Sequence, residues 1–388
     1  MRVAVVGAGV AGLLTSYHLV RGRLAPEVHL YEARAAIGRP HCAGLVSLPT
    51  ASRLPRSPEV TLDLYRAIEV YVPELRLRLR LSSDRPSFLR LDRLKLEELL
   101  AEELARRGVR LLLGSPVRGV SRGGGRLLLH VGGGAEPYDF VVVATGYSPR
   151  FTGSLGLTSS LQTLSGVQLE VELGGGRWLE EGTAYVVVSN YLGGGFAWVV
   201  PGSYGRVLLG CATSPGGPPA LSCLRALLRV VERNSASVRV LSKPYGGVVL
   251  RGYPGRVVAS SVAGVGDSVA MVKSLSGGGL YAISVASKLV ADYVNGDVKA
   301  LEALEALKWE LALQYRLTKY VYRLVRLLEV TGLRGRSVDV WLRYLDYDHH
   351  LKLLVQLLGN ARSYLALVRG RVELELKYST GDLRWCSR

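Results

Sequence analysis

Arg2-Val3-Ala4-Val5-Val6-Gly7-Ala8-Gly9-Val10-Ala11-Gly12 stands almost at the start of the chain, and its reading decides the fold. Residues 2–6 are β-branched and small, the pattern of a short buried strand. A GxGxxG turn follows, then an apolar stretch to about Val20 that reads as a helix. Residues 27–32 (EVHLYE) read as a second strand ending in an acid, Glu32, twenty residues after Gly12. Each glycine has a physical task. Gly7 makes the tight turn, Gly9 lets the backbone approach a pyrophosphate, and Gly12 lets helix and strand pack closely. The helix N-terminus offers free N–H groups and partial positive charge to phosphates. Glu32 is suited to accept hydrogen bonds from two ribose hydroxyls, and its charge disfavours a 2′-phosphate.

Working outward, the 388 residues suggest two or three domains or one interleaved fold. Hydrophobic residues at 48% and charged residues at 21% exclude a wholly disordered or coiled-coil chain. No apolar run reaches the roughly 18–20 residues of a membrane span. The N-terminus is unlike a signal peptide, so a cytoplasmic protein is expected. Lys and Arg number 49 against 32 Asp and Glu, a net charge of +17, which attracts anions such as nucleic acid, anionic lipid or phosphorylated substrates. No RNA-binding motif with interleaved aromatics is present, so nucleic acid is not expected. Cys42, Cys211, Cys223 and Cys386 form no CxxC pair, and no metal site is expected. Only four Asn, four Gln and two Met occur, which points to a thermophilic source.

Residues 75–81 (LRLRLRL) alternate strictly, predicting a half-buried strand with Arg76, Arg78 and Arg80 on its wet face. A helix is predicted over 92–107, with strands at 109–113, 117–120 and 138–144. Glycine runs at 123–125 and 132–134 read as hairpin turns. From about 151 to 260, short β-rich runs predict an antiparallel sheet, interrupted by a helix near 220–233. Val262–Gly266 and Gly277–Gly279 return to strand-turn-helix character. The chain from about 299 to 368 reads as mostly helical.

Later segments favour FAD over NAD. Leu91-Asp92-Arg93 with the helix behind it resembles the Arg-plus-helix segment of the flavin hydroxylase superfamily. Val262–Ser268 resembles its Gly-Asp segment, in which the Asp holds the ribityl chain. Gly277–Gly279 opens a helix twelve residues after Asp267, placing a helix N-terminus to stabilise negative charge on reduced flavin. Beyond these, the sequence resembles the geranylgeranyl reductase family, including the archaeal digeranylgeranylglycerophospholipid reductases. Ile37–Ser47, with Cys42, is similar to that family's Gly-x-Pro-x-x-Cys segment beside the flavin, one residue shorter between Pro40 and Cys42. Gly193–Pro201 resembles its PxxYxWxFP motif. Gly193 stands there for Pro, Phe196 for Tyr and Val200 for Phe, while Trp198 and Pro201 are kept.

The resemblance implies an α/β fold, α+β interleaved. An FAD-binding Rossmann-like domain of the flavin hydroxylase type (residues 1–50, 88–150 and 255–300) joins an antiparallel-sheet substrate domain (51–87 and 151–254) and a C-terminal helical domain (301–388). The implied cofactor contacts are Gly7, Gly9, Ala11, Gly12, Glu32, Ala33, Arg34, Cys42, Ala43, Gly44, Arg93, Val117, Gly146, Gly266, Asp267, Gly278, Gly279 and Leu280. Phe196, Trp198 and Pro201 are the implied substrate contacts.

The implied activity is saturation of prenyl double bonds in isoprenoid membrane lipids or their precursors. An isolated trisubstituted alkene is a poor hydride acceptor, so the reaction needs a proton donor, a dry apolar groove and close alignment with reduced flavin. Cys42 is the first candidate for the reactive or substrate-ordering group, with neighbouring His41 a possible relay. Only one dinucleotide fingerprint is present, so electrons are expected from a ferredoxin-like carrier or transiently bound NAD(P)H. A lipid substrate implies peripheral docking at an anionic membrane surface. Arg316, Lys319, Arg323 and Arg326, at steps of three and four, make a basic helical stripe suited to it. Two alternatives remain on the same fold: an aromatic hydroxylase-like monooxygenase and a quinone-linked electron-transfer flavoprotein.

Overall fold

The computed structural model describes residues 1–349 apart from 40–41, 56, 176–177, 332–336 and 343–344. Pro40, His41, Gly176, Cys386 and the part of the expected helical region beyond 349 lie outside the described residues. The first strand, Arg2–Val6, is the centre of a six-stranded sheet. Glu27–Tyr31 and then Arg110–Leu112 lie on one side, Phe140–Val143 and then Val262–Gly264 on the other, all in parallel register. Val258–Ala259 closes the edge antiparallel. Strands buried on both faces read as continuous Val-rich runs, as here. The helices Val10–Leu19, Arg93–Arg106 and Leu280–Val294 cover this sheet, and Leu13, Leu14, Leu100, Leu104 and Val290 are fully buried in the shared core.

A nine-stranded, mainly antiparallel sheet forms the other half. Its spine is Ser159–Gly174, flanked by Arg206–Thr213, Gly195–Pro201 and Thr183–Ser189 in one direction and by Ser237–Val240 and Tyr245–Pro254 in the other. The period-two pleat divides its residues. Leu169, Val171, Ala197, Val199, Leu209 and Cys211 pack under the helix Ala220–Asn234. Phe196, Trp198, Val200 and Leu208 take the opposite face, toward the parallel-sheet half.

Two details differ from the sequence reading. Arg76 is not in a strand: it takes the left-handed conformation (φ +47°) and caps the short turn Pro73–Leu75. The strand runs Leu77–Ser83, and Arg78 and Arg80 are half-buried ion partners of Glu69, with Arg80 also reaching Glu180 at 2.6 Å. In the C-terminal region the helical expectation holds for the long helix Lys299–Val330. Ser337–Leu342 is instead a strand, parallel to Leu77–Ser83 at the sheet edge. Its Ser-Val-Asp-Val-Trp-Leu alternation buries Val338, Val340 and Leu342 and exposes Asp339 and Trp341, a period of two rather than 3.6. Among the described residues no helix is long and apolar enough to cross a membrane.

Candidate functional site

The strand order reverses beside Arg2–Val6, and three loops leave the sheet at that edge: Gly7–Gly9, Ala144–Gly146 and Val265–Asp267. In open α/β sheets this switch point is where ligands bind. Backbone geometry fixes the glycines. Gly7 has φ +104°, and a Cβ there would strike the Ala144 carbonyl. A Cβ on Gly12 would strike the Gly7 carbonyl oxygen, whereas one on Gly9 would meet nothing within 4 Å. Gly9 caps the first helix without a side-chain bond, and the space a Cβ there would enter is open. Gly266 (φ +73°) packs against Ala11 of that helix, and Gly279 beside the Asp267 carboxylate.

Glu32 ends the second strand and is 6% exposed. Its Oε2 accepts from Ala8 N–H at 2.9 Å; Oε1 accepts from Arg34 N–H at 3.0 Å and Arg34 Nε at 2.9 Å. Burial pushes this carboxyl up, but those bonds outweigh it and hold it below the ordinary carboxylate range. Gly114 N–H donates to the Arg34 carbonyl and Ser115 N–H to that of Glu32, so the chain passes beside Glu32 on its way to Val117. Gly146 (φ +68°) follows the Ala144–Thr145 segment on which Gly7 packs.

A second group forms around Arg93. Asp92 caps its helix by accepting from Lys95 N–H at 3.0 Å, which frees Arg93 to turn inward. Arg93 is 8% exposed and donates to Glu97 at 2.6 Å, while its Nε has no partner among the described residues. Burial lowers its affinity for the proton, but Cys42 and Glu97 beside it outweigh this and raise it. The Cys42–Gly44 turn is fastened here because Gly44 (φ +76°) abuts Leu91, whose N–H donates to the Gly44 carbonyl at 2.9 Å. Asp267 feels the same guanidinium. Burial pushes its carboxyl up and Arg93 pulls it part of the way back. Among the described residues no hydrogen bond reaches the Asp267 carboxylate. Cys42, Arg93 and Asp267, far apart in sequence, therefore meet in space.

The large sheet supplies the facing wall. Tyr245, Gln168, Gly210 and Trp198 lie in one cross-strand row. The Trp198 indole lies over Gly210, where a Cβ would collide with it. Among the described residues Trp198 Nε1 is buried without a hydrogen-bond partner, and the buried Gln168 side chain lies beside Tyr245. Phe196 is 5.6 Å from Trp198, ring centre to ring centre, and its tip lies against Gly277. Trp198, Ala43, Leu45, Tyr245 and Tyr347 pack on one apolar cluster with Tyr65, Phe88 and Val200, so the Cys42 segment and the Trp198 strand do face each other. Pro201 sits at the end of that strand, its carbonyl accepting from Tyr65 Oη at 2.7 Å. Phe196 and Val249 lie against Gly277, and a cavity of about 330 Å3 is lined by Leu54, Pro55, Pro58, Val60, Leu91 and Leu96.

Sequence reasoning missed two buried cations. Lys273, 2% exposed, pairs with Asp348 at 2.7 Å, lies 4.3 Å from the Tyr347 ring centre and packs against Gly278. Asp348 also accepts from Ser47 and from Thr50 Oγ1 at 2.6 Å. Arg251 binds the Gly194 and Ser274 carbonyls and the Tyr322 hydroxyl, and stands over the Phe196 ring. The available signal was a lone charge inside a strongly apolar run, as in Val269-Ala270-Met271-Val272-Lys273.

The family model described as FAD dependent oxidoreductase matches residues 86–293. The chain is 26% identical over 322 residues to digeranylgeranylglycerophospholipid reductase 2 of Methanopyrus kandleri, covering 78% of this chain and 77% of that protein. It is 24% identical over 323 residues to an uncharacterized protein of Methanocaldococcus jannaschii, covering 79% of each. Among solved structures, a geranylgeranyl bacteriochlorophyll reductase-like protein from Thermoplasma acidophilum superposes with a TM-score of 0.75 over 95% of this chain and 98% of that one, at 16% identity. That likeness is one of fold.

Proposed function

This chain belongs to the family of FAD-dependent oxidoreductases, and from that membership we propose that it saturates prenyl double bonds of isoprenoid lipids or their precursors. Its cofactor is FAD. The residues present fit that group. The open approach over Gly9 suits a pyrophosphate, and the partnerless Nε of buried Arg93 and the Asp267 carboxylate await polar partners.

In this reading Gly7, Gly9, Ala11 and Gly12 hold the pyrophosphate at the first helix. Glu32, Ala33, Arg34 and Val117 border the adenosine, and Glu32 accepts from its ribose. Gly266 and Asp267 hold the ribityl chain. Cys42, Ala43, Gly44, Gly146, Gly278, Gly279 and Leu280 border the ring system. Residues 1–50, 88–150 and 255–300 then make the cofactor half, 51–87 and 151–254 the substrate half, and 301–388 the C-terminal part.

When bound and reduced, FAD supplies hydride to an alkene carbon. The chain's own work is to exclude water, align the alkene and deliver a proton to the other carbon. Phe196, Trp198 and Val200 offer an apolar wall, with the Arg251 guanidinium over the Phe196 ring. Cys42, beside Arg93, is the proposed group at the reacting end. The observation that carries the proposal is this meeting of the aromatic wall with the Cys42 segment and Gly277. The likeness to the Methanopyrus kandleri reductase supports it. Electrons would come from a ferredoxin-like carrier or from NAD(P)H.

The test is anaerobic incubation of dithionite-reduced protein with a geranylgeranyl lipid, read by mass spectrometry. Gain of two hydrogens per double bond is expected. Unaltered lipid together with rapid, oxygen-consuming turnover of NAD(P)H would assign the fold to the hydroxylase-like alternative.

A further inference from the structure

The long helix Lys299–Val330 buries one face, with Leu304, Leu307, Leu311, Tyr315 and Val325 inward. From residue 309 onward its exposed apolar side chains are Trp309, Leu313, Tyr320, Leu324, Leu327 and Val330. They recur at steps of 4, 7, 4, 3 and 3, which keeps them on one stripe of a 3.6-residue helix. Arg316, Lys319, Arg323 and Arg326 are exposed as well, Arg316 and Arg323 within that stripe and Lys319 and Arg326 along its flank. No acid is exposed on this stretch. Glu310 and Glu329 are half-buried and accept from Tyr281 and Tyr191. A helix facing water alone mixes acids with bases and keeps large apolar groups inside. An outward stripe of indole, phenol and leucines beside cations is the composition of a helix lying in a lipid interface.

We infer that the outer face of this helix docks the protein on an anionic lipid bilayer, the apolar stripe entering the headgroup boundary and the four cations meeting phosphates. Charge favours this occupant, because the protein carries a net +17 and this face offers cations without a single exposed acid to set a register. A protein partner needs such a register; a field of mobile phosphates does not. The inner face of the same helix reaches the candidate site. Tyr322 donates to the Gly195 carbonyl at 3.0 Å and accepts from Arg251 at 2.8 Å, at the start of the strand bearing Phe196 and Trp198. Docking therefore sets the aromatic wall about one helix diameter, roughly 10–12 Å, from the membrane. The docking does not depend on the identity of the substrate.

Co-sedimentation of the full chain with phosphatidylglycerol and with phosphatidylcholine vesicles tests it. The wild type is expected to sediment with the anionic vesicles and to be released as salt rises. Leu324→Glu/Leu327→Glu and Arg323→Glu/Arg326→Glu should each weaken binding about tenfold or more, since each surface cation alone is worth about fivefold. All four positions are exposed, so FAD content and circular dichroism should stay unchanged. Equal sedimentation by wild type and variants, or none by the wild type, overturns the inference. So does a solution dimer that Leu324→Glu/Leu327→Glu converts to monomer without any vesicle binding, which would assign the face to a second copy.

Discussion

Glu32 ties the turn after the first strand through Ala8 and holds its own geometry through Arg34. Glu32→Ala removes a charged acceptor worth about 1.5–3 kcal/mol per hydrogen bond. FAD binding to apo-protein should weaken at least about tenfold in a fluorescence titration; unchanged affinity would show that the carboxylate serves only the loop. At the reacting end, Cys42→Ala should slow alkene reduction while FAD content holds. Trp198→Ala should lower turnover or bond selectivity by emptying the space over Gly210. Loss of FAD in either variant would show the side chain to be a support of the fold instead. The glycine fingerprint was legible because a side chain at Gly7 or Gly12 has nowhere to go. The Lys273–Asp348 pair was not, because its partners stand 75 residues apart and only the folded chain joins them.

At the scale of elements, periodicity located the parallel strands and the helix Arg93–Arg106, whose buried and exposed residues follow one repeat. It failed for Ser337–Leu342, where six alternating residues soon after a long helix carry too little signal by themselves. The segment after that strand is pinned by Asp348, whose carboxyl burial pushes up but Lys273 holds below its usual range. Asp348→Ala leaves a buried ammonium without its counter-charge and should cost roughly 3–5 kcal/mol in urea unfolding. The pair Lys273→Met/Asp348→Leu should recover most of that loss.

The first helix carries its own pH dependence. Burial and the nearby cations Lys288 and Arg21 pull His18 down from 6.5 to about 4, against Asp292. Between those values the unfolded chain binds the proton and the folded chain does not, so stability falls as pH drops from 6.5 toward 4. With His18 half-exposed, the loss should be about 1–2 kcal/mol. His18→Gln should flatten that limb of the stability curve.

For the whole molecule, a parallel sheet covered by helices and a mainly antiparallel sheet form the two halves of the chain. Their seam gathers segments that the sequence scatters: the Cys42 turn, Arg93, Phe196–Trp198 and the Lys273–Gly279 loop. The long helix spans the outside of that seam and displays the basic, apolar face. Such an arrangement suits a substrate too apolar to cross water, since burying each CH2 is worth about 0.8 kcal/mol. The most direct measurement is the mass of a geranylgeranyl lipid after anaerobic incubation with the dithionite-reduced protein. Stepwise gain of two hydrogens per double bond, slowed in Cys42→Ala, is the predicted result. A lipid of unchanged mass, recovered beside protein that still holds its full complement of reduced FAD, would contradict it.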